Sequence, residues 1–171
     1  MESGPKPYLT FRVARKDFAI EACRVRGILP VQELAPLPGI RPAVLGFASL
    51  SGRLIAVWDL RVILDLPQAG GGIDPRIIVV SVGGVVSVGE VVSVREHLAG
   101  FVADRVSGVH TYHARELRRG WLRGSGRPRR LLKVEKIFGE GDPPEFNPPG
   151  PPGARIKRPF ATGTAPAALP R

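Results

Sequence analysis

Cysteine, histidine and aromatic side chains are scarce in this 171-residue chain: one Cys, three His, and Phe, Trp and Tyr together only 6%. A lone Cys23 cannot close an internal disulfide, and residues 1–30 hold no long apolar segment ahead of a small-residue cleavage pattern, so the expected compartment is the cytoplasm. No window approaches the roughly 18–20 unbroken apolar residues that cross a bilayer, which argues against membrane insertion. His110 and His113, three apart, would share a helix face suited to zinc, yet no Cys, Asp or Glu stands at a companion spacing. They and His97 read as solvated surface histidines, and Cys23, beside Ala22 and near Val25, reads as a small packing residue. The glycines at 70–72 lack the lysine and following helix of a phosphate cradle, and residues 126–130, GRPRR, do not supply them. The expectation is a protein without catalytic residues, metal site or cofactor.

What the chain does have is 43% apolar residues, with 21 Gly and 18 Pro breaking every stretch that could run as a long helix. The apolar runs are short and rich in Val, Ile and Leu, as strands are, so the length suits about one mostly-β domain. Residues 8–14, YLTFRVA, alternate polar with apolar side chains, and DFAIE at 17–21 resumes after a turn at Arg15 and Lys16, which predicts an opening hairpin. ILPVQEL at 28–34 is a third strand whose Pro30 suits an edge or a bulge. Pro42 could open one or two helical turns through AVLGFASL. SGRLIAVWDL at 51–60 is the strongest strand, with Leu54, Ala56 and Trp58 on one face, and DLRVILDL follows as a short helix.

After a turn-rich loop at 67–75, two strands, RIIVVSV and HLAGFVADRV, flank a tandem repeat: VVSVGG, VVSVGE and VVSVRE at 79–84, 85–90 and 91–96. Three copies of six residues are too few for a stacked solenoid, so they predict an expanded hairpin. Residues 115–136 carry nine Arg or Lys against two Glu, most of the net charge of +10. LLKVEKIF at 131–138 predicts a closing strand and short helix. From 139 to 171, nine of 33 residues are Pro and no apolar period survives, which predicts a disordered tail. The expected organisation is an N-terminal tail at 1–7, a domain at 8–138 carrying the repeat insertion at about 79–96, and the C-terminal tail at 139–171.

Several of these segments, in order, resemble the CheW-like domain, which couples chemoreceptors to the histidine kinase CheA. In FAIEACRV at 18–25, Ile20, Glu21 and Val25 match the family's opening hairpin. In PAVLGFASLSGRLIAVWDLR at 42–61, Pro42, Gly46, Leu50, Gly52, Asp59, Leu60 and Arg61 fit its most specific motif. Gly100, Asp104, Val106 and Val109 fit the strand pair that follows, and WLRG at 121–124 resembles the closing strand. Gly27 stands where the family has a glutamate; Ser49 and Ser51 stand where it has asparagine and arginine.

The resemblance implies two packed five-stranded SH3-like β-barrel subdomains with short helices. It also implies a non-enzymatic scaffold joining a CheA-like histidine kinase to a chemoreceptor-like protein. The partner-binding residues it points to are Val25, Gly27, Ile28, Gly46, Leu50, Ser51 and Gly52, although Leu50 and Ile28 also suit core packing. Joint loss of the acid at Gly27 and the base at Ser51 strands no charge, so it leaves folding intact while altering specificity. The basic patch of Arg118, Arg119, Arg123, Arg127, Arg129 and Arg130 raises an alternative, a nucleic-acid-binding β-barrel. Only Tyr112 and Trp121 lie near it, too few aromatics for a stacking platform, and a solvated or protein-facing basic surface is the favoured reading.

Overall fold

The computed structural model describes residues 4–35, 43–68, 72–88, 91–124 and 126–138, of which residues 32, 84–88 and 91–96 by their backbone alone. Among them, eleven strands run β1 (Lys6–Val13), β2 (Lys16–Glu21), β3 (Val25–Pro30), β4 (Val44–Leu50), β5 (Arg53–Trp58), β6 (Arg76–Val88), β7 (Val91–Ala103), β8 (Arg105–Tyr112), β9 (Leu117–Arg118), β10 (Trp121–Leu122) and β11 (Arg129–Leu131). The helices are short: α1 (Leu60–Ile63) follows β5 and α2 (Val134–Phe138) follows β11. One sheet has the order β8-β1-β2-β11-β10-β9 and the other β3-β6-β7-β5-β4. The fold is thus mostly β in two sheet subdomains, as expected, with the first sheet lengthened to six strands by the two-residue pieces β9 and β10.

The pleat sorts side chains into three cores. Along β1, Leu9, Phe11 and Val13 point one way and Tyr8 the other; along β2, Phe18 and Ile20 oppose Ala19. On β6, Ile78, Val80 and Val82 join Phe11 and Phe18 in a core shared by both sheets, whereas Ile77 and Val79 face the interior of the second sheet with Ala48, Ile55 and Val57. Tyr8, Ala19, Tyr112 and Leu122 fill the interior of the first. Both faces of β6 are buried, which is why RIIVVSV reads as a continuous apolar run and not as an alternation. Phe11 and Phe101 meet across the shared core with ring centroids 5.2 Å apart.

The opening hairpin turns through Ala14 and Arg15, both at positive φ, so it uses the primed two-residue turn that suits the twist of the flanking strands. Pro30 ends β3, which lies at a sheet edge as its missing amide requires. The repeat forms the predicted expanded hairpin: β6 and β7 pair in unbroken antiparallel register from Arg76↔Ala103 to Val88↔Val91. β3 accompanies β6 only as far as Val80, and β5 meets β7 only at Gly100 and Phe101, so among the described strands the remainder of the hairpin is a two-stranded ribbon.

Three expectations are corrected. Residues 31–33, read as part of a strand over 28–34, form a 3₁₀ turn after Pro30. Residues 44–50, read as helical after Pro42, are strand β4, paired with β5 from Val44↔Trp58 to Leu50↔Arg53. Its Gly46 at φ 154 and the register shift beside it mark a bulge, and the strand is held on its other side by Ala35, which bridges to Phe47. Cys23 is exposed, not packed, and sits in a 3₁₀ turn with its thiol 3.8 Å from Glu21 Oε2. Pro42 and the residues expected to form the tail, 139–171, lie outside the described residues.

Candidate partner-binding surfaces

The motif residues Asp59, Arg61 and Asp104 form a clamp between the two sheets. Asp59 caps α1 by accepting from the Arg61 amide at 2.8 Å, which fixes the helix start and aims the Arg61 side chain. That guanidinium donates to Asp104, which sits where the chain passes from β7 in the second sheet to β8 in the first. The other Asp104 carboxylate oxygen accepts from the Ala14 amide at 2.8 Å, in the opening turn of the first sheet. Gly72 passes so close behind that a Cβ there would collide with the Asp104 main chain. Sequence reasoning marked Arg61 and Asp104 separately without pairing them, because 43 residues separate the two.

Of the seven residues marked as partner-facing, those from β3 and from the β4–β5 turn are brought together although they lie far apart in sequence. A Cβ built on Gly27 would stand 3.1 Å from Leu50 Cδ1, so β3 touches the end of β4 directly beside Ser51 and Gly52. Ser51 and Gly52, at φ 52 and 78, make the tight turn into β5, and the space around Gly52 is open. Leu50 is half-buried against the interior of the second sheet, as its core-packing reading expected. Ile28, by contrast, is 44% exposed and free to meet another surface. Val25 packs partly on the shared core and Gly46 is buried in the β4 bulge, so both act through the fold. Of the three departures from the family motif, Gly27 and Ser51 are thus linked through Leu50, Gly27 lying against its side chain and Ser51 following it in sequence.

On the first sheet, Trp121 lies directly opposite Arg118 on one side and Arg130 on the other. Those three form an outward row, whereas Leu122 is buried and Leu117 packs beside it, with Arg129 donating to the Tyr112 hydroxyl. Arg118, Arg119, Arg123, Arg127 and Arg130 are exposed and Arg129 is half-buried, so five of the six patch residues face solvent. Tyr112 is no surface aromatic: it is buried edge-on against Tyr8, ring centroids 5.8 Å apart. His110 and His113 are exposed, on β8 and at a turn start. Among the described residues no three His, Cys, Asp or Glu side chains gather where they could hold a metal, and no helix is long and apolar enough to cross a membrane.

The family model of the CheW-like domain matches residues 7–142. The chain belongs to the CheW-like family. The chemotaxis protein CheW of Bacillus subtilis (strain 168) is 28% identical over 117 residues, 68% of this chain and 67% of that protein. The crystal structure of the scaffolding protein TtCheW from Thermoanaerobacter tengcongensis superposes with a TM-score of 0.65 at 19% identity, covering 80% of this chain and 94% of that one, which supports the shared fold. CheW-like proteins are scaffolds of chemotaxis signalling, and the chain carries that coarse role by membership. The clamp of Asp59, Arg61 and Asp104 explains why part of the CheW-like motif is architectural: it holds two sheets in a fixed relation.

Proposed function

We propose that this protein is a cytoplasmic, non-enzymatic adaptor that joins a CheA-like histidine kinase to a chemoreceptor-like protein. The observation that carries the reading is the meeting of Gly27 and Leu50, which gathers the exposed Ile28 and the Ser51–Gly52 turn on the second subdomain. None of these five residues carries a charge, and such a half-apolar patch suits a protein partner whose recognition rests on shape and apolar contact. An acid at position 27 or a base at position 51 alone would stand uncompensated there, and the absence of both keeps the patch consistent. Its specificity is therefore for a receptor surface that does not depend on that ion pair.

The test is titration of the purified chain with the regulatory domain of the neighbouring kinase and, separately, with the tip fragment of the cognate receptor. Binding of both, with Ile28→Asp weakening one without changing the melting temperature, is the expected result. No binding of the kinase domain at high micromolar concentration, a free energy weaker than about −5 to −6 kcal/mol, ends the kinase-adaptor reading.

A further inference from the structure

The β9–β10 turn, β11 and the two helices enclose an open groove of about 600 Å³. Four cations line it: Arg119, Arg130, Lys133 and Lys136. Its apolar lining includes the exposed Trp121, Ile63 of α1 and Ile137 of α2, and no carboxylate lines it among the described residues. None of the four cations is in an ion pair among the described residues. Four like charges around one groove repel one another, and an anionic occupant with a bulky apolar group relieves that repulsion while covering Trp121.

We propose that the groove is the docking site of the chain's own residues 140–146, EGDPPEF. The described chain ends at Phe138, one residue beyond Ile137 in the groove wall, so Glu140 begins within about 7 Å of Phe138 at roughly 3.5 Å per residue. Glu140, Asp142 and Glu145 fall within six residues, the densest run of acid in a chain that has 15 in all. Beyond Phe146 there is no acidic side chain, and the charged ones are Arg155, Lys157, Arg158 and Arg171, so residues 140–146 alone match the charge of the groove. The fixed φ of Pro143 and Pro144 favours an extended backbone, which lowers the entropy lost on docking and carries Phe146 toward Trp121. The docked segment screens the four cations. None of this depends on the identity of the kinase or receptor.

The experiment follows the two Trp indole resonances of the full chain by NMR, assigned with Trp121→Phe, in the native protein and in the variant E140Q/D142N/E145Q. These changes lie outside the described strands and helices, and because Trp58 packs edge-on against Phe138, close to the altered segment, the melting temperature serves as the control. The expected result is a Trp121 shift between native and variant with the melting temperature unchanged. The native Trp121 signal should approach the variant position at about 1 M salt, where the screening length falls to about 3 Å. A synthetic peptide of residues 139–147 added to the variant should return the signal toward its native position. Identical Trp121 signals in native and variant overturn the proposal. So does an equal response to oligoglutamate of the same charge, or a response to oligothymidylate in place of the peptide, which would make the groove a general anion or nucleic-acid surface.

Discussion

At the residue scale, the shared core and the clamp hold different parts of the stability. Phe101 is fully buried between the sheets, and Phe101→Ala should cost about 3–5 kcal/mol, measured by denaturant unfolding. Asp104→Ala removes one partner of a nearly buried ion pair and orphans the Ala14 amide, so a loss of about 3–5 kcal/mol is expected in the same assay. Exposed Ile28 behaves oppositely: Ile28→Ala should stay within about 0.5 kcal/mol. Burial, with Glu21 and Cys23 nearby, raises the Tyr8 hydroxyl above its ordinary value. The folded state then keeps this proton after the unfolded chain has lost it. The resulting stability is complete below pH of about 10 and falls as pH rises from there through the folded value. Ultraviolet titration of tyrosinate in Tyr8→Phe against native, paired with unfolding at pH 9 and 11, checks both direction and window.

At the element scale, the repeat adds length to a hairpin without adding neighbours. A two-stranded ribbon is at best marginally stable in water, so deleting residues 83–94 should change unfolding free energy by no more than about 1 kcal/mol. Twelve is an even number, so the deletion preserves the facing of every side chain left in β6 and β7, and it should also reduce concentration-dependent light scattering by removing an apolar, Pro-free edge. Most of this hairpin was legible because strand periodicity and repeat are local signals. The neighbouring misreading shows the limit. Pro42 and the mixed run after it satisfy a helix start, but Val44, Phe47 and Ala48 are claimed by β5 and by the Ala35 bridge, long-range pairings that outweigh local propensity. The candidate surface was legible in its members through motif resemblance. Its assembly was not, because nothing local in the sequence says that Gly27 packs on Leu50 or that Arg61 reaches Asp104.

At the scale of the whole molecule, the two sheets are interleaved. β1 and β2 belong to the first sheet, and the chain then crosses to the second as β3; β6 and β7 belong to the second, and the chain returns to the first as β8. In both sheets, a hairpin is flanked antiparallel by a strand from the other segment of chain and parallel by β11 or β5. A cut in the 67–75 loop therefore leaves two fragments, each holding strands of both sheets and the whole of neither. Fragments 1–70 and 71–171 should each lack cooperative unfolding and, mixed at equal concentration, should regain β-sheet circular dichroism and a single thermal transition. Independent folding of either fragment would contradict the interleaving.

The crossings at β3 and β8 also govern what the molecule can transmit. A tether between beads is free to swivel, whereas these subdomains are joined by chain crossings, a common apolar seam and the Arg61–Asp104 clamp, so the angle between them is built in. A lattice assembled through such a piece inherits that angle as a constant, in the way masonry inherits the shape of its bricks.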